Sequence, residues 1–149
     1  MRIGIDIDGV LTDIEQWQLD CGGKFFSKLN KSVVNKDGYE ITDRYLTDRN
    51  TEQGQQMREI VVKWLDEQKI YYDKIIFSPE DKLEDCKKNN IDVMIEDKVE
   101  NINNVSTAIP VICFHAGYNK ECKGQNIYRA YNWYDIYNLI NGGKICKKK

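Results

Sequence analysis

The chain reads Ile3-Gly4-Ile5-Asp6-Ile7-Asp8-Gly9-Val10-Leu11-Thr12-Asp13 near its amino terminus, a β-type run that ends in two carboxylates one residue apart. Side chains alternate faces along a strand, so a strand through Ile7 would project Asp6 and Asp8 the same way from its carboxyl end. Two carboxylates at this spacing repel each other unless a cation lies between them. The stretch therefore predicts a magnesium-assisted phosphoryl-transfer site, with a pair of turn-capping aspartates as the alternative.

Length and charge restrict the class of protein. The chain has 149 residues, which is most simply one domain, and its formal net charge of -2 gives no basic excess that would favour nucleic acid. The five cysteines include no C-x-x-C pair, and the first residues lack the features of an export signal. No apolar run reaches the length of a membrane span. We expect a cytoplasmic protein with reduced thiols that binds neither nucleic acid nor membrane; the sequence does not indicate an oligomeric state.

Short apolar runs rich in β-branched residues predict four buried parallel strands. They cover residues 3–7, 74–77, 92–95 and 109–114. Two helical faces follow the spacing of an amphipathic helix. The first consists of Met57, Ile60, Val61, Trp64 and Leu65, and the second of Trp133, Ile136, Tyr137 and Ile140, with Gly142-Gly143 as its stop. Strands that alternate with helices predict an α/β three-layer sandwich around a parallel Rossmann-like sheet, with the ligand site beyond the strands' carboxyl ends.

A further helix start is predicted at Ser78-Pro79-Glu80-Asp81, with the serine as cap and the proline at the first helical position. Lys82 then lies near the positive end of the helix dipole, where a cation is unfavourable. It therefore either points into solvent or is compensated by a nearby anion. In the second case it would lie beside a phosphoryl group and neutralise its oxygens.

Other candidate residues follow predicted strands. Glu96 and Asp97 end the run at 91–95, which brings them to the sheet edge of the first acid pair, although Asp97 also fits a helix cap. Asp97 is the better ligand candidate of the two. Thr42 either ends a short strand, where its hydroxyl could contact phosphate, or belongs to a turn. Arg44 either contacts phosphate or lies in solvent.

Three motifs in this order resemble the haloacid dehalogenase (HAD) superfamily of phosphohydrolases. They are D-x-D-G-V at Asp6 to Val10, D-K-L at Asp81 to Leu83, and I-E-D at Ile95 to Asp97. Within that superfamily, residues 73–101 and the Asn132-Trp133 segment resemble the 5'-nucleotidase group that includes the deoxyribonucleotidases. The resemblance covers most of the chain except roughly residues 21–49.

The resemblance implies a role for each matched residue. Asp6 would be the nucleophile, Asp8 the general acid and base, and Lys82 the lysine that holds the phosphate. Asp97 would join Asp6 and the Asp8 carbonyl around Mg²⁺, with Glu96 as an alternative ligand or as a partner of the ligands. The chemistry is attack of Asp6 on phosphorus, then hydrolysis of the aspartyl-phosphate by water that Asp8 activates.

The middle of the chain departs from the family pattern. Such nucleotidases carry a longer helical cap after the first strand, followed by a second strand that ends in Ser or Thr. Here either residues 14–38 form a minimal cap inserted into a single HAD-like domain and Thr42 supplies the hydroxyl, or that strand is missing. The first alternative is favoured, because a sheet without the strand would leave a hole beside the nucleophile.

The sequence thus predicts a Mg²⁺-dependent phosphomonoesterase, 5'-nucleotidase-like, acting on a nucleotide or a similar small phosphate ester. One alternative is a HAD remnant that binds metal or phosphate without turnover. Another is a receiver-like phosphoacceptor switch, which also uses an acidic magnesium pocket and a lysine on a parallel sheet.

Overall fold

The computed structural model describes residues 1–12, 52–77 and 81–145. The chain divides into two compact units, Met1–Ile14 with Asp81–Lys149, and Glu15–Glu80. The described elements, in chain order, are β1 (Ile3–Ile5), α1 (Glu52–Glu67), α2 (Lys82–Lys88), β2 (Val93–Glu96), α3 (Val99–Val105), β3 (Val111–Phe114), a 3-10 helix (Gly117–Asn119), β4 (Ile127–Ala130) and α4 (Trp133–Asn141). Helix α1 belongs to the second unit and the other elements to the first.

The four strands form one parallel sheet in the order β1-β2-β3-β4. Ile5 pairs with Ile95 across the first two strands, so the residues after Ile5 and Ile95 share one edge. The parallel α/β sheet predicted from the alternation of strands and helices is confirmed. All four carboxyl ends lie at the same edge, where ligand sites of such sheets lie.

Side chains of the central strands alternate between two apolar cores. Met94 and Val111 pack with Cys86 of α2 and Ile102 of α3 on one face. On the other face the core holds Val93, Ile95 and Ile112 of the strands with Ile136 of α4. Helices therefore cover both faces of the sheet, and the predicted three-layer architecture is confirmed.

The first strand ends at Ile5, two residues earlier than predicted. Asp6 still donates its backbone N–H to the Ile95 carbonyl at 3.0 Å, but the chain then turns, with Leu11 and Thr12 both donating to the Ile7 carbonyl. Gly9 has a φ of 77°, a left-handed conformation that favours glycine. The prediction that Asp8 continues the strand is therefore wrong: Asp8 lies in this turn, and regular alternation stops at Asp6.

The strand predicted at residues 74–77 is also wrong. These residues have no regular structure and belong to the second unit, and none of the four described strands pairs with them. An apolar run becomes a strand only where another strand accepts its backbone hydrogen bonds. Ile75 and Ile76 are nevertheless half-buried, so the apolar side chains of this run contribute to packing without forming a strand. Strand β4 was not predicted, because the charged Arg129 interrupts its short apolar run.

Helix α2 begins at Lys82 and is capped by Asp81, whose carboxylate accepts the N–H groups of Leu83 and Glu84. The predicted cap at Ser78 and the helix start after it lie outside the described residues. The helix-cap alternative for Asp97 is wrong, since Lys98 occupies the N-cap position of α3 without a side-chain hydrogen bond. Asp97 is thereby available for other contacts.

The predicted apolar face of α1 is confirmed by the burial of Val61 and Leu65. The predicted apolar face of α4 is partly wrong. Ile136 is buried and Ile140 half-buried, but Trp133 and Tyr137 are 44% and 62% exposed. The inward stripe runs through Ile136, Leu139 and Ile140, an i, i+3, i+4 pattern. The helix ends at Gly142 as predicted, followed by Gly143 with a φ of 69°.

Two further predictions stay predictions. One is the single domain with residues 14–38 as a reduced cap, and the other is the contact of Thr42 and Arg44 with phosphate. All of these residues lie outside the described ones. Within the described residues, every helix is too short or too polar to cross a membrane.

Candidate active site

Four charged side chains converge at the carboxyl ends of β1 and β2. The Lys82 ammonium lies 2.8 Å from Asp6 Oδ1 and 2.5 Å from Glu96 Oε2. The Lys82 side chain is only 16% exposed and Glu96 is fully buried. Lys82 is therefore compensated by anions, the second of the two alternatives that its position in the first helical turn allowed.

Glu96 is engaged through both of its oxygens. Oε1 accepts the backbone N–H groups of Asp97 at 3.1 Å and Lys98 at 3.0 Å, and Oε2 accepts the Lys82 ammonium. A buried carboxylate needs such partners to remain charged. The contacts make Glu96 a residue that holds Lys82 and the segment after β2 in place.

Asp6, Glu96 and Asp97 form a compact group of carboxylates. Each offers one oxygen, and these oxygens lie within 4.8 Å of one another. Lys82 neutralises part of this charge, so the described part of the site carries more negative than positive charge. Oxygen donors at this separation suit a hard divalent cation such as Mg²⁺. Because both Glu96 oxygens are engaged, Asp6 and Asp97 fit the role of ligands better.

Burial and charge shift the pKa values of this group. Burial raises the pKa of Asp6, and the charge of Glu96 adds to this, so that together they exceed the opposing effect of Lys82. Burial alone would lower the pKa of Lys82, but the charges of Asp6 and Glu96 and the hydrogen bonds to them outweigh it and raise that pKa. Lys82 therefore stays charged at neutral pH.

The structure thus brings together four of the seven predicted site residues: Asp6, Lys82, Glu96 and Asp97. The fifth, Asp8, is exposed in the turn two residues beyond Asp6. Thr42 and Arg44 lie outside the described residues.

A family model described as 5' nucleotidase, deoxy (pyrimidine), cytosolic type C protein (NT5C) matches residues 35–146. The chain belongs to this family. The resemblance to nucleotidases of the HAD superfamily is thereby confirmed.

Two curated relatives carry nucleotidase names. The Bacillus subtilis protein YqfW, provisionally named a nucleotidase, is 34% identical over 103 residues, which make up 67% of this chain and 51% of that protein. A nucleotidase of Clostridium acetobutylicum is 23% identical over 180 residues, covering 95% of this chain and 94% of the relative. The matched part of this chain thus spans about half the length of YqfW. No solved structure gives a significant match.

The NT5C-family chain has a further site contact that sequence reasoning missed. The Tyr118 hydroxyl, in the 3-10 helix after β3, donates a hydrogen bond to Asp97 Oδ2. Burial of the hydroxyl raises the pKa of Tyr118, as do the hydrogen bond to Asp97 and its charge. The sequence could have indicated Tyr118 only by its position just beyond the carboxyl end of β3. It belongs to no motif whose spacing would distinguish it from other tyrosines.

Asn119 and Arg129 hold the loop that carries Tyr118, and both were also missed. Fully buried Asn119 donates to the carbonyl oxygens of Asp97 and Phe114, each at 2.8 Å. Its side-chain oxygen accepts from the Ala116 N–H and from Arg129. The guanidinium of Arg129 also donates to the carbonyls of Asn119, Lys120 and Cys122 and contacts His115 Nδ1 at 3.1 Å.

Proposed function

We propose that the chain is a Mg²⁺-dependent phosphomonoesterase that hydrolyses a nucleotide or a similar small phosphate ester through an aspartyl-phosphate on Asp6. The observation that carries the proposal is the pairing of Lys82 with Asp6 and Glu96 beside Asp97, at the carboxyl edge of the sheet. Family membership and the nucleotidase names of the relatives support the choice of ester.

In the proposed reaction a carboxylate oxygen of Asp6 attacks phosphorus and displaces the ester oxygen, which takes the proton of the Asp8 carboxylic acid and leaves as an alcohol. Asp8 then removes a proton from water, and the resulting hydroxide attacks the aspartyl-phosphate. Inorganic phosphate leaves, Asp6 is again a carboxylate and Asp8 again a carboxylic acid. The exposed turn that carries Asp8 suits a group that exchanges protons with a leaving oxygen and with water.

Lys82 has two partners that anchor it before any phosphate arrives. Its ammonium contacts Asp6 and Glu96, so it is held within reach of the oxygens around the phosphorus that Asp6 attacks. A positioned ammonium stabilises charge on those oxygens without reorganising during the reaction. When bound, Mg²⁺ would neutralise further charge between the phosphate and the attacking carboxylate, held by Asp6 and Asp97 with the Asp8 carbonyl.

The test is release of inorganic phosphate from a panel of nucleoside 5'-monophosphates with Mg²⁺, comparing the wild type with Asp6→Asn. Asparagine keeps the shape but cannot act as the nucleophile, so the rate should fall by at least roughly 1000-fold. Asp92→Asn is the matched control, because Asp92 lies before β2 at the opposite edge of the sheet. Equal rates for wild type and Asp6→Asn would refute the assigned nucleophile.

The same assay addresses the alternatives. A protein that binds Mg²⁺ but releases no phosphate from a broad panel of esters would be the metal- or phosphate-binding remnant. A long-lived phosphoaspartate at another position would favour the receiver-like switch. We also propose the cytoplasm as the compartment, since Cys86, Cys113 and Cys122 are free thiols.

A further inference from the structure

We infer that Tyr118 is a positioning residue for the divalent ion, through the hydrogen bond by which its hydroxyl fixes the Asp97 carboxylate. The inference rests on the part of the proposed function in which Asp97 holds the divalent ion, and it does not depend on turnover. Tyr118 belongs to none of the three motifs that carry the family resemblance, and it reaches the site from a different strand end.

The loop after β3 holds Asp97 at two points. Tyr118 donates to the carboxylate oxygen Oδ2, while the neighbouring Asn119 donates to the backbone carbonyl of the same residue. Arg129 in turn fixes Asn119 through its side-chain and carbonyl oxygens. The buried side chain of Asn119 therefore holds the backbone next to Tyr118 in place, although Tyr118 itself is 60% exposed.

The hydroxyl has a specific task in this arrangement. Asp97 shares a small volume with the carboxylates of Asp6 and Glu96, and like charges would favour rotation of its carboxylate away from them. A donor on one oxygen opposes that rotation and orients the group before an ion arrives. Partners that orient metal ligands in this way typically contribute 10- to 100-fold in metal affinity or activity.

The exposed ring offers a different explanation of Tyr118, namely stacking on the leaving group of the ester. Tyr118→Phe separates the two, because it keeps the ring and removes only the hydroxyl. An orienting hydroxyl predicts weaker Mg²⁺ binding without substrate, whereas a stacking ring predicts unchanged Mg²⁺ binding.

The experiment measures Mg²⁺ binding by titration calorimetry on the purified full chain without substrate. Tyr118→Phe should bind Mg²⁺ about 10-fold more weakly than the wild type. At saturating Mg²⁺ the kcat and the KM for the ester should return close to wild type, which a general structural defect would not allow. Tyr134→Phe is the matched control, because Tyr134 is an exposed tyrosine on α4. Thermal unfolding of each variant verifies that it folds.

Each outcome either supports or overturns the role of Tyr118 in Mg²⁺ binding. Equal Mg²⁺ affinity of wild type and Tyr118→Phe would overturn the role of Tyr118, even if the wild type hydrolyses nucleotides. Absence of Mg²⁺ binding by the wild type would overturn it as well. Weaker binding by Tyr118→Phe, with no hydrolysis by either protein, would support the role of Tyr118 and reject the proposed hydrolase.

Discussion

Two ends of the same sheet edge handle buried charge in opposite ways. Beyond β1 and β2, the carboxylates of Asp6, Glu96 and Asp97 crowd around the single ammonium of Lys82. At the carboxyl ends of β3 and β4, the guanidinium of Arg129 lies among backbone carbonyls and the Asn119 amide, with no carboxylate in ion-pair range among the described residues. The first end keeps excess charge; at the second, each named donor has an acceptor.

The difference separates the part of the edge that can do chemistry from the part that supports it. Excess buried charge is costly unless a ligand neutralises it, so this end of the edge is the candidate place for an ion or substrate. A satisfied guanidinium makes the surrounding loop rigid and offers nothing further to bind. The two ends meet at Asp97, which receives hydrogen bonds from Tyr118 and Asn119.

The largest effect is expected from Lys82→Met, which removes the only ammonium that contacts the acid group in the described residues. Without Mg²⁺, the free energy of unfolding should fall by about 3 kcal/mol, because the buried carboxylate of Glu96 and the half-buried carboxylate of Asp6 lose their partner. Phosphate release should be lost as well. Lys87→Met, which removes an exposed ion pair with Glu84 on the same helix, should change stability by less than about 0.5 kcal/mol in denaturant titrations. Similar losses of stability for Lys82→Met and Lys87→Met would show that the contacts of Lys82 stabilise the fold no more than an exposed ion pair does.

Arg129→Lys should have the next largest effect. Lysine keeps the charge but cannot reproduce the planar fork that reaches Asn119, Lys120 and Cys122, so stability should fall by about 2 kcal/mol. Mg²⁺ binding should weaken in parallel, since Asn119 anchors the Asp97 carbonyl. Chemical denaturation and calorimetry measure the two quantities. Unchanged stability would mean that the β3–β4 end is not the rigid support described above.

Asp97→Asn should change stability in the opposite direction. Removing one charge from the crowded group should raise the free energy of unfolding without Mg²⁺ by about 1 kcal/mol, while the stabilisation by added Mg²⁺ disappears. Thermal unfolding with and without Mg²⁺ measures both. A variant that is less stable than the wild type in the absence of the ion would show that the carboxylates do not repel each other appreciably.

The smallest effect concerns pH. The pKa of Asp6 is raised above 3.8 by burial first and by Glu96 second, so the native state binds this proton more tightly than the unfolded chain. Its contribution to stability is present below pH 3.8 and is lost as the pH rises through the native pKa. Without Mg²⁺, the wild type should therefore lose stability relative to Asp6→Asn between pH 4 and pH 7. A difference that stays constant over this window would contradict the raised pKa.

The fold and four of the seven residues that make up or support the candidate site follow from local sequence. Strands β2 and β3 were predicted because buried parallel strands are continuous apolar runs, and Asp6, Lys82, Glu96 and Asp97 were found because acids and a lysine at element ends are distinctive. Tyr118, Asn119 and Arg129 were missed, since their importance lies in hydrogen bonds between segments distant in sequence. The apolar run at 74–77 misled for the same reason: pairing depends on neighbours that periodicity does not reveal.

The saturation of Asn119 has a consequence for the ageing of the protein. Its nitrogen donates to two carbonyl oxygens, and its oxygen accepts from the Ala116 N–H and Arg129. Aspartate differs by a single atom, yet it would turn those two donor contacts into oxygen facing oxygen. Hydrolysis of this one amide during storage would therefore loosen the grip on the Asp97 carbonyl, and a stored preparation would lose ion affinity while most of its fold remained intact.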